Sequence, residues 1–145
     1  MKTLIAPLLA RLESVPSSVN GLLCRWGVAA IFWRSGQTKV HGFFQIDPTT
    51  FDLFRDEYRL PLLPPEIAAV AATISEHLFS ALLVLGLASR LSATALFGMT
   101  MVIEIFVYPA SWPDHLLWSS ALLYVLFRGP GEWSLDHLLR RRFLA

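Results

Sequence analysis

The chain has 145 residues, of which 54% are hydrophobic and only 16% are charged, against the roughly 25% charge of a typical soluble domain. Its formal net charge is +1, and no basic face or motif stands out, which argues against nucleic acid as a partner. The single cysteine, Cys24, excludes a disulfide or a CxxC dithiol pair within the chain. Because the apolar residues come in long blocks, the composition indicates a membrane protein.

The N-terminal residues 1–18 carry apolar side chains at helical spacing. Pro7 and Arg11 interrupt this apolar run, which argues against a cleaved signal peptide. We predict instead a short helix that lies in the membrane interface on the cytoplasmic side.

Four apolar segments follow, and a helix needs about 17–25 mostly apolar residues to cross the hydrocarbon core. The predicted spans are about 19–37, 67–88, 91–108 and 113–127, of which the last is short and begins near the interface. These segments are too long for strands and rich in Ala and Leu, and helices satisfy every backbone polar group in lipid. We therefore predict an all-α fold, a four-transmembrane-helix bundle over residues 19–128 with short interfacial helices at both termini.

The segment between the first two spans, residues 38–66, is a predicted extracytoplasmic loop. Its proline-rich end, YRLPLLPP (58–65), is expected to lie against the membrane surface or to cap the bundle. A purely structural re-entry into the second helix and a binding lid both stay open as interpretations.

The C-terminal residues 129–145 form a predicted amphipathic, basic tail on the cytoplasmic side. Ser134 is a candidate cap for a short helix in this tail. The helix carries three arginines that are expected to meet anionic lipid headgroups: Arg140, Arg141 and Arg142.

The distribution of Lys and Arg predicts the orientation, because these residues accumulate on the cytoplasmic side of membrane proteins. With both termini on one side, that side collects eight of the 12 Lys and Arg residues, Arg25 and Arg90 among them. The opposite side collects the other four, in and after the end of the first span. Both termini are therefore predicted to be cytoplasmic.

Apart from interfacial arginines, the ionisable residues within or beside the spans are predicted to lie in the outer half of the membrane. At 1.5 Å of rise per residue, Glu76 and His77 lie roughly 15 Å from the outer end of the second span, and Glu104 roughly 7 Å from the outer end of the third. The first and fourth helices contribute further polar groups near their outer ends: Arg34, Lys39 and His115. Because each helix supplies at least one such group, we predict a polar pocket that opens toward the exterior.

Alternatives to a binding pocket remain open at this level. Arg34 pairing with Glu76 or Glu104 would simply lock the helices together. One helical step rotates by about 100°, so Glu76 and the adjacent His77 are expected to point in different directions. A metal site from Glu76, Glu104 and His115 is conceivable, but no ligand spacing supports it, and we predict none.

Several motifs in order resemble the DoxX family of small four-span bacterial and archaeal membrane proteins. They are RWGVAAIFWRSGQTKV (25–40), LPLLPP (60–65), Glu76 followed by LVLGLASRLSA (83–93), an acidic third span, and RGPGEWSLDHLL (128–139). The resemblance covers about residues 20–139. One departure is Arg34, at a position where the family is expected to have an apolar or small residue.

The resemblance implies a multi-pass protein of the bacterial cytoplasmic membrane. Members of the family have been linked to oxidation of sulfur compounds with electrons passed to quinone, and to oxidative-stress complexes. We therefore predict the membrane subunit of a quinone-linked redox system, an oxidoreductase subunit with quinone as its ligand. The candidate catalytic, proton-handling residues are Glu76, His77 and Glu104. The candidate substrate-binding residues are Arg34, Lys39, His115 and Trp118.

The chain has no flavin, haem-pair or iron–sulfur motif, so electrons need a partner subunit or must pass directly between substrate and quinone. The alternative function is non-enzymatic: a membrane partner or maturation helper that uses the same pocket for binding. A small-solute conduit is the weaker form of it, because the inner half of the bundle offers a poor polar path. Expected partners are membrane lipid and a protein subunit, and a homo-oligomer stays open.

Overall fold

The computed structural model describes residues 7, 10–11, 14–42 and 44–143, and this part of the chain is mostly helical. The predicted all-α class is therefore confirmed. Most of the predicted N-terminal interfacial helix of residues 1–18 lies outside the described residues. In chain order the elements are α1 (Ser17–Gln37), β1 (Val40–His41), β2 (Gln45–Ile46), α2 (Pro48–Leu53) with a π-helical turn (Phe54–Tyr58), α3 (Pro65–Leu85), α4 (Ser89–Val102) with a π-helical turn (Ile103–Val107), a 3-10 turn (Pro109–Ser111), α5 (Trp112–Arg128) and α6 (Leu135–Phe143).

The four long helices, α1, α3, α4 and α5, pack side by side in the cyclic order α1–α3–α4–α5. Fully buried apolar side chains fill the space between them: Val28, Ala29, Phe32, Leu83, Ala93, Leu96, Leu122 and Val125. Proline and glycine mark the ends of α3. Pro65 lies in its first turn, where a missing N–H costs nothing, and Gly86 ends it in the left-handed region at φ +68°.

Within the part of the chain that the structure describes, two helices are long and apolar enough to cross a membrane: α3, and α4 together with its π-helical turn (Ser89–Val107). The sequence analysis predicts four such spans. Of the other two helices, α1 carries Arg25 and Arg34 within its 21 residues, and α5 has 17 residues. The described helices thus support two of the predicted spans by length and composition.

The predicted loop of residues 38–66 is largely ordered. Strands β1 and β2 pair antiparallel, with Val40 opposite Ile46, and Asp47 caps α2 by accepting a hydrogen bond from the backbone N–H of Thr49 (2.9 Å). Hydrogen bonds from Thr49 to the Asp47 carboxylate lower the pKa of Asp47. A second apolar cluster around Phe54 joins the loop to the start of α3. The loop therefore covers one end of the four long helices.

A network of hydrogen bonds around Arg25 and Asp136, here called the clamp, joins the segments at the opposite end of the four long helices. Arg25 is fully buried, although the sequence places it near the cytoplasmic interface. Its guanidinium donates to the backbone carbonyls of Leu83 (2.6 Å), Val84 (3.1 Å), Trp133 (2.7 Å) and Pro130 (3.1 Å). One side chain of α1 thus ties the end of α3 to the segment before α6.

Asp136 completes the clamp. Its two carboxylate oxygens accept hydrogen bonds from the backbone N–H groups of Ala88 and Ser89, both at 2.8 Å, at the start of α4. Ser134 accepts from the N–H of His137 (3.2 Å), as predicted for the cap of α6. A Cβ added to Gly86 would lie 2.5 Å from the Cβ of Ser134, so only glycine lets the two segments meet.

Candidate functional site

A cavity of about 290 Å³ lies between the four long helices at the end covered by the loop. Its walls are mainly apolar and aromatic, and Phe32, Phe54, Met99 and Trp118 are among them. Side chains from α1, α3, α4, α5 and the loop all contribute to the lining. The cavity lies at the helix ends where the sequence analysis predicts a polar pocket, but most of its lining is apolar.

The polar end of the cavity is a buried ion pair between Lys39 and Glu76. Lys39 Nζ lies 3.0 Å from Glu76 Oε1 and 2.9 Å from Oε2, and each side chain is about 95% buried. The Ser35 hydroxyl donates to Glu76 Oε1 (3.0 Å), and the Lys39 ammonium also approaches Ser35 Oγ (3.1 Å) and Ser35 O (3.3 Å). Among the described residues Lys39 is the only group that contacts Glu76 Oε2, and a carboxylate oxygen can accept a second hydrogen bond, so Oε2 keeps acceptor capacity at the cavity wall.

Gly36 allows this ion pair to form. It lies on the face of α1 that meets α3, where an added Cβ would stand 2.7 Å from His77 Cε1 and 3.2 Å from Glu76 Cβ. The missing side chain brings the two helices close enough for Ser35 to reach Glu76. Lys39 follows at the end of α1, four residues after Ser35, and therefore on the same face.

A second polar pair, His115 and Glu104, joins α5 to α4. His115 Nδ1 lies 2.5 Å from Glu104 Oε2, and the His115 side chain is buried while that of Glu104 is a quarter exposed. A carboxylate accepts, so Nδ1 donates to Glu104, and the described residues offer His115 Nε2 no hydrogen-bond partner. His115 lines the cavity beside Trp118, with ring centroids 4.9 Å apart.

His77 lies in a different groove from Glu76, on the outer seam of α1 and α3. Its Nδ1 lies 2.8 Å from the carbonyl oxygen of Thr73 and therefore carries the proton, and its Nε2 accepts from the side-chain amide of Gln37 (3.0 Å). The rings of Trp33 and Phe44 stand edge-on to the imidazole at 5.1 and 5.2 Å. Both ring nitrogens are thus engaged by the protein, and His77 does not line the cavity of Glu76.

Arg34 is exposed at the end of α1 and lines no wall of the cavity. The interpretation in which Arg34 pairs with Glu76 or Glu104 is wrong, because Lys39 and His115 take those partners. Rotation along α1 explains the difference: Ser35 and Gly36 face α3, and Arg34 points away from it.

Two tyrosines that the sequence analysis did not select also line the cavity. Tyr58 ends one π-helical turn, and Tyr108 follows the other. Their rings meet edge-to-face at 5.7 Å, and the Tyr108 hydroxyl donates to the carboxylate of Glu57. Burial raises the pKa of Tyr58. In the sequence, the proline-rich stretch after Tyr58 is the feature that indicates a loop packed against a site.

The described side chains include no group of three or more His, Cys, Asp and Glu residues arranged to hold a metal ion. Glu104 and His115 approach each other, but Glu76 is paired with Lys39. The site is therefore an apolar cavity with two polar pairs: a carboxylate held by an ammonium on one wall, and an imidazole oriented by a carboxylate on another.

Comparison with known proteins identifies the family. Residues 21–109, more than half of the chain, match the family model described as DoxX. A protein of Haemophilus influenzae described as an uncharacterized protein is 27% identical over 141 residues, with 90% of each chain covered. No solved structure gives a significant match. The matched region contains most of α1, the loop, α3 and α4, and with them both members of the Lys39–Glu76 pair. The chain therefore belongs to the DoxX family of membrane proteins.

Proposed function

We propose that this protein is the membrane subunit of a quinone-linked redox system and that the cavity at Glu76 is its quinone site. The observation that carries the proposal is an apolar cavity, lined by aromatic rings, that holds a Glu76–Lys39 pair on one wall and His115 on another. Ligand sites of this kind combine apolar walls with a few polar groups that fix orientation. A quinol ring, with a hydroxyl group at each of two opposite positions, matches that combination, and the oxidised quinone fits the same apolar walls.

All four long helices are proposed to span the membrane. Each presents large apolar side chains to the outside, whereas Arg25, Lys39, Glu76 and His115 are buried. This inverts the pattern of a soluble protein, in which charged side chains lie outside. The exposed apolar side chains include Leu23 and Trp26 on α1, Ile67 and Ile74 on α3, Leu91 and Ile105 on α4 with its π-helical turn, and Leu116 and Leu117 on α5.

The excess of Lys and Arg supports a cytoplasmic location for both termini in the bacterial cytoplasmic membrane. The cavity then opens toward the extracytoplasmic side, where the 38–66 loop covers it. Arg34, exposed on that side, is the proposed contact for an anionic substrate or a partner subunit.

The hydrogen-bonding capacity left in the cavity suits the proton chemistry of a quinone. Lys39 directs its protons to Glu76 and Ser35, so the groups with spare capacity are acceptors: Glu76 Oε2 and His115 Nε2. A quinol hydroxyl donates to such an acceptor. Interconversion of quinone and quinol moves two electrons and two protons, and these two groups are placed to take or return the protons. The electrons come from a partner subunit or directly from the substrate.

The test is co-purification of quinone. The full-length protein in mild detergent is extracted with organic solvent, and quinone is measured by mass spectrometry against an unrelated four-span membrane protein. We expect enrichment in the wild type and loss in Glu76→Gln. The matched control is Glu66→Gln, the same change on the same helix at a half-exposed surface carboxylate that pairs with Arg55.

Glu76→Gln leaves a buried Lys39 without its counter-ion, which lowers stability. A second variant is therefore needed that distinguishes loss of quinone from loss of folding. Ala72→Phe fills the cavity without altering any charge and is expected to remove the quinone as well. Quinone at the control level in the wild type would refute the proposal and favour the non-enzymatic partner or maturation role. Quinone that persists in both variants would place it elsewhere on the protein.

A further inference from the structure

A second cleft lies at the end of the helices opposite the cavity. It has a volume of about 430 Å³ and is bounded by the start of α1, the start of α4, the end of α5 and helix α6. Its lining is polar and basic, in contrast to the apolar cavity, and no part of the proposed quinone site belongs to it. The proposed quinone site therefore does not explain why basic side chains line this cleft.

Three arginines from three different helices converge on the cleft: Arg90 of α4, Arg128 of α5 and Arg140 of α6. All three are exposed, and within the described residues none of them makes an ion pair or a hydrogen bond through its side chain. Because all three arginines line one cleft, they give it a positive potential that attracts anions.

The carboxylates of the cleft offset this positive charge only in part. Both oxygens of Asp136 accept from the backbone N–H groups of Ala88 and Ser89, and the residue keeps its negative charge. Glu132 is the other acidic residue of the lining, and it is exposed. Two carboxylates therefore stand against three arginines, and the cleft keeps a small positive charge.

The donors in the lining are the three guanidinium groups. A guanidinium donates through a planar fork of N–H groups, which suits the oxygens of a phosphate. Ser89 also lines the cleft, but it is completely buried and offers no accessible donor. The arginines alone therefore indicate the class of ligand.

We propose that this cleft binds a phosphate group, and that the group is the headgroup phosphate of an anionic membrane lipid. The lipid source is favoured because Leu91, in the lining, is 64% exposed and offers apolar surface for an acyl chain beside the arginines. Basic pockets between membrane helices on the cytoplasmic side are typical sites for anionic headgroups. The bound lipid would hold α6 against α4 and α5 through its phosphate.

The test is titration of the full-length protein in detergent with dioleoyl-phosphatidylglycerol and with dioleoyl-phosphatidylcholine, followed by native mass spectrometry. The double variant Arg90→Gln/Arg128→Gln removes two arginines of the cleft. The matched control, Arg141→Gln/Arg142→Gln, removes the same charge from residues of α6 that do not line the cleft. A second arm titrates inorganic phosphate by calorimetry.

We expect the wild type to prefer phosphatidylglycerol, and the cleft variant to bind it about 25-fold more weakly, at about 1 kcal/mol for each arginine. The Arg141→Gln/Arg142→Gln protein should keep most of its affinity. Equal losses in the two double variants, or no preference over phosphatidylcholine, would overturn the proposal. Inorganic phosphate that binds alone and is lost only in the cleft variant would retain the phosphate site but replace the lipid by a soluble ligand. If the double variant does not fold, the single changes Arg140→Gln and Arg142→Gln give the same comparison.

Discussion

Lys39 and Glu76 form a buried ion pair that joins the end of α1 to the middle of α3, with Nζ 2.9 Å from Oε2. Both side chains are almost fully removed from solvent, so neither charge has water to stabilise it. The two residues are 37 positions apart, and the pair therefore also fixes how the loop between them closes over the cavity. Its effect on stability and its effect on ligand binding can be separated by mutation.

Removal of one partner is expected to be more damaging than removal of both. Lys39→Met leaves a buried carboxylate without a counter-ion and should lower the free energy of unfolding by about 3–5 kcal/mol. The double variant Lys39→Met/Glu76→Gln should recover most of that loss, because no isolated charge remains. Unfolding of the detergent-solubilised protein, followed by circular dichroism, gives both values. A double variant as unstable as Lys39→Met alone would contradict a strongly coupled pair.

Gly36 sets the distance between α1 and α3 and can be tested with a single methyl group. In Gly36→Ala the added Cβ would stand 2.7 Å from the His77 ring, which should cost about 1–3 kcal/mol of stability through overpacking. Gly27 and Gly98 are the matched controls, because a Cβ at either position meets nothing within 4 Å. Gly27→Ala and Gly98→Ala should be neutral or slightly stabilising, since alanine favours the helix. The prediction is tested by comparing the melting temperatures of the three variants with that of the wild type.

The sequence was sufficient to predict the helices closely. The predicted first span, 19–37, corresponds to α1 at Ser17–Gln37, and the fourth, 113–127, to α5 at Trp112–Arg128. Long apolar blocks bounded by proline and glycine leave little freedom in where such helices begin and end. The position of a residue along its helix could be predicted equally well, because it follows from counting residues at 1.5 Å each.

The direction in which each side chain points could not be predicted as well from the sequence. Glu76, Lys39, His115 and Trp118 line one cavity, whereas His77 and Arg34 lie away from it, and the roles predicted for these residues stay predictions. Each of those two residues is next in sequence to a residue that lines the cavity, and one helical step turns a side chain by about 100°. The sequence pattern does not fix that rotation when apolar residues surround the helix on all sides. Arg25 shows the same limit, since counting residues gave its position along α1 but not its burial against backbone carbonyls.

Arg25 is expected to be the most important single residue for the C-terminal clamp. Arg25→Gln leaves the carbonyls of Leu83 and Trp133 without donors in a buried setting, which should cost at least about 3 kcal/mol. Limited proteolysis should then cut the segment before α6 faster than in the wild type. Arg34→Gln is the control on the same helix, because Arg34 is exposed, and its digestion pattern should not change. Equal protease resistance in both variants would show that the clamp does not depend on the guanidinium.

The two buried histidines distinguish the cavity from the groove beside it. His115 lines the cavity with a free Nε2, whereas both nitrogens of His77 are bonded within the protein. His115→Asn should therefore reduce the quinone that co-purifies with the protein, while His77→Asn should leave it unchanged and lower the melting temperature, since Gln37 and Thr73 lose their partner. Quinone measured per mole of folded protein, with both variants prepared in parallel, separates the two effects. Loss of quinone in His77→Asn alone would move the ligand to the outer seam of α1 and α3, where Trp33 would then be its aromatic contact.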